Sequence, residues 1–109
     1  MSFAETVKTM KIVIDPGHGG HETGAINYND GIMEKDITLK TARYLKEYFD
    51  DYYGVEIIMT HNGLDNNTEM SVLDRGMCAR NNKADLLLCL HFNAAPGGAD
   101  WHGAEVYVT

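Results

Sequence analysis

Two histidines and one glutamate occupy positions from which a metal ion could be bound. His18 follows a short β-branched run at residues 11–14 and lies in the glycine-rich segment DPGHGG. His91 ends a second apolar run at residues 85–91, and Glu34 precedes a stretch with helical periodicity. Two imidazoles and one carboxylate with an open fourth position form a standard catalytic zinc site. These residue types therefore indicate a metal centre if the fold brings the three segments together.

Short apolar runs alternate with longer amphipathic stretches along the chain. The pattern predicts strands at 11–14, 55–60, 85–91 and 104–109 and helices at 34–53 and 68–82. This order is typical of an α/β fold, with a mostly parallel twisted sheet, right-handed crossovers and helices on both faces. Functional groups in such folds collect beyond the carboxyl ends of the strands. We therefore expect His18, Glu34 and His91 to meet at one edge of the sheet.

The details of two elements can also be predicted. An apolar stripe at three- and four-residue spacing should turn the first helix towards the sheet, and its members are Ala42, Leu45, Phe49 and Tyr52. Asp36 could cap the start of this helix, and Gly54 is placed for a left-handed cap at its end. The run at 85–91 lacks polar alternation, which predicts a strand covered on both faces, with Cys89 buried in it.

Each candidate ligand also has a purely structural interpretation. A histidine in a glycine-rich turn is commonly a surface residue, and a glutamate near a helix start is favoured by the helix dipole. A histidine at the end of a buried strand needs a partner, because an unpartnered imidazole is costly to bury. It is the joint placement of the three residues that favours a metal site.

Other polar residues compete for roles near this site. His21 is an alternative ligand to His18, which we favour because it lies nearer the strand end. His61 could face the site, but we expect both it and His102 to be solvated. Asp15 should order its turn by hydrogen bonds or support a ligand imidazole. Arg75, next to Asp74, is expected to form a helix-surface charge pair or a structural clamp.

Composition limits the remaining possibilities. The 109 residues include 16 acidic and 9 basic side chains, so the net charge is −7, and the pI is about 5.0. This balance argues against nucleic-acid binding, which requires clustered basic residues. Cys78 and Cys89 lack the spacing of a disulfide scaffold or a redox motif. No apolar run is long enough for a membrane span, and residues 1–9 lack the apolar region of a signal peptide.

Several segments, in order along the chain, resemble the zinc-dependent N-acetylmuramoyl-L-alanine amidases of the amidase 3 type. They are DPGHGG at 15–20 with Gly24-Ala25, EKDITL at 34–39, Arg75 with ARN at 79–81 and Ala84-Asp85, LHFNA at 90–94, and GAEVY at 103–107. The resemblance covers residues 10–109, which it identifies as the N-terminal portion of a catalytic domain. Residues 1–9 are then an N-terminal extension.

This resemblance implies a peptidoglycan hydrolase that acts on the cell wall, outside the cytoplasm. It implies that zinc is held by His18, Glu34 and His91 and that Asn93 neighbours the site. Asn93, Asp15 and Arg75 are expected to support the site or to contact substrate. The family's general-base glutamate is expected beyond Thr109, so the domain should be truncated at its C-terminus. A non-catalytic zinc-holding cell-wall binding module is the alternative, and a metal-dependent peptidase or deacetylase is a third hypothesis. The last strand, left uncovered, could pair with a second chain.

Overall fold

A computed structural model describes residues 9–95, 97 and 100–109. Its regular elements alternate, as predicted: β1 (Met10–Pro16), α1 (Glu34–Asp50), β2 (Val55–Met59), α2 (Val72–Asn81) and β3 (Leu86–Leu90). Residues 1–8 of the predicted N-terminal extension lie outside the described residues. Among the helices described, none is both long and apolar enough to cross a membrane.

The three strands form one parallel sheet in the order β2-β1-β3. The central strand β1 pairs with both neighbours, so that Ile12 lies opposite Ile57 on one side and Leu86 on the other. In the register of β1 and β3 the last pair is Pro16 with Leu90. The two segments that follow β1 and β3 therefore leave the sheet side by side, at the same edge.

The helices lie on opposite faces of the sheet. Ile14 of β1 packs in a buried cluster with Ala42 of α1 and Ile57 of β2. Asp15, the next residue of β1, contacts Arg75 of α2 at 2.7 Å between Oδ1 and Nη1. Because successive side chains of a strand point to opposite faces, α1 and α2 cover different sides. This confirms the predicted α/β architecture with helices on both faces.

The start and end of α1 are set by backbone contacts rather than by the side chains expected. The free N–H groups of Glu34 and Lys35 donate to the carbonyls of Ala25 and Thr23, at 2.8 and 3.0 Å. Loop carbonyls thus satisfy donors that a helix start leaves unpaired, and Asp36 lies within the first turn instead of capping it. Gly54, with φ of +83°, forms the turn that enters β2, because the helix has already ended at Asp50.

The predicted apolar stripe of α1 is confirmed for three of its four members. Ala42 is fully buried, and Leu45 and Phe49 pack against the buried cluster. Tyr52 is 49% exposed because it lies beyond the last helical residue. The apolar face of α1 therefore packs against the core from Ala42 to Phe49, and Tyr52, beyond the end of the helix, does not belong to this face.

The prediction that the third strand is covered on both faces is wrong. Leu86 is 49% exposed and Leu88 is 38% exposed, and Cys89, predicted to be buried, is exposed as well. The reason is the position of β3 at an edge of the described sheet, with β1 as its sole neighbour there. Leu86 and Leu88 pair with Ile12 and Ile14 and therefore lie on the face of α1, which packs over β1 and β2. Cys89 pairs with Asp15 on the other face, where α2 has no buried residue of its own. Both cysteines are free, as expected.

The strand predicted at 104–109 is also absent from the described part of the chain. Residues 104–109 are exposed and carry no regular structure. A strand requires a neighbour that accepts and donates its backbone hydrogen bonds, and this segment has no such partner among the described residues. The edges of the described sheet are β2 and β3, and pairing with a second chain stays a prediction.

Ala42 provides a test of the packing between α1 and the sheet. Replacing Ala42 by Leu forces extra volume into the contact with Ile14 and Ile57, and should lower the free energy of unfolding by about 1–3 kcal/mol. Tyr44→Leu, on the exposed side of the same helix, should change it by less than about 0.5 kcal/mol. Urea denaturation of the two variants measures both values. Equal effects would contradict the assigned helix face.

Candidate metal centre

The ends of β1 and β3 bring two imidazoles together. His18 lies two residues beyond Pro16, and His91 lies one residue beyond Leu90, the strand partner of Pro16. The N–H of Gly17 donates to the carbonyl of Leu90 at 2.9 Å, which extends the contact between the two segments past the sheet. A Cβ at Gly17 would come within 2.4 Å of the His91 ring. Glycine is therefore required at position 17 for the two segments to approach this closely.

Glu34, the first residue of α1, places its carboxylate between the two imidazoles. Glu34 Oε1 is 3.2 Å from His18 Nε2 and 3.3 Å from His91 Nδ1. One ligand atom from each of the three residues lies within 4.8 Å of the other two. Two ligands of a tetrahedral ion with bonds of about 2.0–2.2 Å are about 3.3–3.6 Å apart. The spacing around Oε1 therefore fits a four-coordinate metal ion.

Backbone groups fix the orientation of this carboxylate. Oε1 accepts a hydrogen bond from the N–H of Phe92, and Oε2 accepts one from the N–H of Ala25, each at 2.9 Å. The two donors belong to different segments, one after β3 and one in the loop before α1. The side chain is 7% exposed, so these contacts replace the water that an ionised carboxylate would otherwise require.

The environment keeps Glu34 ionised. Burial raises the pKa of Glu34. The hydrogen bonds from Ala25 and Phe92, together with the neighbouring His18 and His91, lower this pKa by more than burial raises it, so the pKa is below its ordinary value. A lowered folded-state pKa stabilises the fold above the unfolded-state pKa, and this contribution is lost as the pH falls through the folded-state pKa. At neutral pH the group is therefore a carboxylate, the form that binds a metal.

The centre is open to solvent on one side. The side chain of His18 is 27% exposed and that of His91 is 48% exposed, in contrast to the buried Glu34. A depression of about 420 Å³ adjoins Glu34, and its lining residues include Ile26, Ile32, Ile37, Phe92 and Asn93. Asn93 thus lies beside Glu34, where the family resemblance implied that it would be. An ion held here could be reached by water and by a substrate lying in the depression.

The remaining histidines have other surroundings. His21 lies with Glu22 and Glu69 in a separate group of exposed residues, where its Nε2 is 3.3 Å from a Glu69 oxygen. His61 was expected to be solvated, but it is partly buried. Its Nε2 lies 2.9 Å from the Pro16 carbonyl oxygen, and its Nδ1 accepts a hydrogen bond from the Gly63 N–H. His102 is exposed, as expected. His18, and not His21, therefore shares a site with Glu34 and His91.

Asp15 contacts other side chains rather than a ligand ring. Its Oδ1 accepts hydrogen bonds from Thr60 Oγ1 and Arg75 Nη1, both at 2.7 Å. Although Cys89 as a residue is exposed, partial burial of its thiol and the negative charge of Asp15 raise the pKa of the thiol to about 11. Cys89 is therefore a neutral thiol at physiological pH. Of the two expectations for Arg75, the structure shows a clamp, because Arg75 pairs with Asp15 and bonds the Pro16 and His18 carbonyls. The N–H of Asp74 donates to the Ser71 cap of α2.

Sequence reasoning missed Thr38, a buried residue that fixes the loop carrying His18. Its hydroxyl donates to the Gly17 carbonyl at 2.7 Å. The signal was available, because Thr38 lies four residues from both Glu34 and Ala42, on the face of α1 that was predicted to be buried. Lys35 was also missed, and its Nζ donates to the Gly20 carbonyl at 2.8 Å.

Comparison with known proteins identifies the family. The family model for N-acetylmuramoyl-L-alanine amidase, Amidase_3, matches residues 12–109. The chain belongs to this family. It is 36% identical over 107 residues to the probable N-acetylmuramoyl-L-alanine amidase AmiB of Haemophilus influenzae, with 98% of this chain covered. It is 38% identical over 94 residues to the endolysin of Bacillus phage SPP1, with 86% covered.

Solved structures of amidases share the fold. An N-acetylmuramoyl-L-alanine amidase from Clostridium difficile 630 superposes with a TM-score of 0.80 at 30% identity, covering 88% of this chain and 50% of that one. The catalytic domain of the amidase CwlV from Paenibacillus polymyxa gives a TM-score of 0.76 at 26% identity, covering 84% and 50%. The chain spans 24% of the Haemophilus relative and 32% of the phage relative. The match is therefore to part of an amidase domain.

Gly24 provides a test of how tightly the centre is packed. Gly24 and Gly31 both have positive φ, of +67° and +77°. An alanine Cβ at Gly24 would lie 2.6 Å from both Glu34 Oε2 and His18 Cδ2, whereas one at Gly31 meets nothing within 4 Å. Gly31→Ala should cost about 1–2 kcal/mol of backbone strain, and Gly24→Ala about 1–3 kcal/mol more, from overpacking. Equal losses in urea denaturation would show that the centre is looser than described.

Proposed function

We propose that the protein is a zinc-dependent N-acetylmuramoyl-L-alanine amidase, which hydrolyses the amide between N-acetylmuramic acid and L-alanine in peptidoglycan. Membership of the amidase family supports the reaction. The observation that carries the proposal is the buried Glu34 carboxylate, which lies 3.2 and 3.3 Å from ring nitrogens of His18 and His91. Because its substrate is peptidoglycan, we propose that the protein acts on the cell wall, outside the cytoplasm.

The donor set fits zinc. Zinc in proteins is bound by imidazole nitrogens and carboxylate oxygens, and three protein ligands leave a fourth position for water or substrate. His18, Glu34 and His91 would hold the ion. When bound, zinc supplies a Lewis acid that polarises a carbonyl and favours ionisation of water near neutral pH.

The chain's own residues would orient the substrate. The depression beside Glu34 has apolar walls from Ile26, Ile32 and Phe92, and the Asn93 side chain provides both a donor and an acceptor. We propose that a peptide amide hydrogen-bonds to Asn93 while the apolar walls exclude water. The scissile amide would then lie next to the buried carboxylate of Glu34.

Amide hydrolysis also needs a general base for water and a proton donor for the leaving amine. Among the described carboxylates outside the centre, Glu22 lies in the exposed group with His21, and Glu105 accepts a hydrogen bond from Tyr107 at 3.0 Å. In the described residues, neither carboxylate forms a hydrogen bond or an ion pair with the side chain of His18, Glu34 or His91. We propose that the base is a glutamate beyond Thr109, as the family resemblance implies.

Analysis of digestion products tests the reaction. Whole protein incubated with purified peptidoglycan and zinc should release stem peptides with a free L-alanine amino group and leave the glycan strands intact. Released acetate would indicate a deacetylase, and internal cleavage of the stem peptide would indicate a peptidase. Binding to peptidoglycan with no product would favour the non-catalytic module and overturn the proposed reaction.

Alanine substitutions test the ligand assignment separately. His18→Ala, Glu34→Ala and His91→Ala should each weaken zinc binding by more than about 100-fold, beyond the 10–100-fold typical of a residue that only supports a ligand. His21→Ala and His102→Ala serve as matched controls and should leave affinity within about twofold of the parent. Competition with a chromogenic chelator gives the zinc dissociation constants. Loss of binding in His21→Ala with retention in His18→Ala would assign the ligand to His21.

A further inference from the structure

The backbone of His18 is held in an unfavourable conformation. Its φ is +62°, in the left-handed region, and His18 is one of two non-glycine residues with positive φ in the described part of the chain. This conformation costs an L-residue about 1–2 kcal/mol. Such a residue persists only where its surroundings over-determine it. The contacts that hold the loop after β1 in this conformation therefore determine the orientation of the His18 imidazole.

The guanidinium of Arg75 contacts this loop on both sides of Gly17. Its Nη1 donates to the carbonyl of Pro16 at 2.8 Å, and its Nη2 donates to the carbonyl of His18 at 3.0 Å. Nε donates to the Met70 carbonyl at 3.2 Å, which anchors the group at the start of α2. The side chain is 11% exposed. A planar, rigid fork thus fixes the separation of two loop carbonyls, which a single ammonium group could not do.

Other side chains hold the same loop from different directions. Thr38 donates to the Gly17 carbonyl at 2.7 Å, and Lys35 donates to the Gly20 carbonyl at 2.8 Å. These contacts come from α1, on the opposite face of the sheet from Arg75. Arg75 is the side chain that reaches the His18 carbonyl itself in the described residues.

We propose that Arg75 is a positioning residue of the metal centre. It holds His18 in the left-handed conformation that directs the imidazole to Glu34 and His91, and it does so through the Pro16 and His18 carbonyls rather than through its ion pair with Asp15. This role rests on the proposed function, since it concerns the affinity of the centre for zinc. The hydrogen bonds of Arg75 go to Asp15 and to backbone carbonyls, and none reaches a ligand atom of His18, Glu34 or His91 in the described residues.

Arg75→Lys tests the role because it keeps the charge opposite Asp15 and removes the fork. Its zinc affinity, measured by chelator competition, should fall about 10–100-fold, the range found for residues that orient metal ligands. Arg43→Lys is the matched control. Arg43 also bridges two acceptors, the side chain and the carbonyl of Asn62, away from the centre, so its variant should bind zinc like the parent.

Asp15→Asn separates the ion pair from the carbonyl contacts. This variant leaves the donors of Arg75 in place, so zinc affinity should fall by less than about threefold, even if the fold is less stable. An Asp15→Asn variant as impaired as Arg75→Lys would overturn the proposal, because the ion pair would then be the active element. Normal zinc affinity in Arg75→Lys would overturn it as well.

Amide hydrogen exchange of the zinc-free chain gives a readout that does not depend on zinc. In Arg75→Lys the amides of Gly17 and Gly19 should exchange at least about tenfold faster, because local opening of the loop becomes easier, while those of β1 at Ile12–Ile14 stay unchanged. Unchanged exchange in the loop would overturn the proposal. If the parent chain fails to bind zinc, the proposed function fails, and the exchange result still decides whether Arg75 holds the loop.

Discussion

The carboxylate of Glu34 is the group on which the arrangement of the centre depends. It is buried, yet it is ionised, because the N–H groups of Phe92 and Ala25 donate to it and two imidazoles lie beside it. These partners come from three segments, which are the loop after β1, the loop before α1 and the segment after β3. The segment after β3 reaches Glu34 because β1 and β3 are paired in parallel, and the segment before α1 reaches it because its carbonyls cap the helix. The electrostatic requirement of one buried charge thus connects sheet topology, helix start and site.

The loop that carries His18 shows how stability and site geometry are coupled. Its carbonyls are bound by Thr38 and Lys35 from α1 and by Arg75 from α2, so both layers of the fold act on one turn. The left-handed backbone of His18 is sustained by these contacts. Loss of the contact from Thr38, Lys35 or Arg75 would therefore alter the position of the imidazole. Such sites concentrate strain where a side chain must be aimed.

The sequence predicted the alternation of strands and helices, their approximate bounds and the meeting of His18, Glu34 and His91, because periodicity and the rule for strand ends are local or topological signals. It did not predict the exposure of Leu86 and Leu88 or the lack of a strand at 104–109. An apolar run indicates that a strand is suited to burial, but the cover must come from other elements. A structural clamp was one of the two interpretations open for Arg75, and spacing from Glu34 and Ala42 indicated that Thr38 faces the core. The carbonyls that these two side chains bind could not be predicted, because backbone carbonyls carry no sequence signal.

X-ray absorption at the zinc edge, measured on the zinc-loaded chain, identifies the atoms that bind the ion. We expect two imidazole nitrogens and one carboxylate oxygen at about 2.0–2.2 Å, with one imidazole nitrogen lost from the shell in His18→Ala and one in His91→Ala. A coordination shell that is unchanged in both variants, or that contains sulfur, would contradict this expectation.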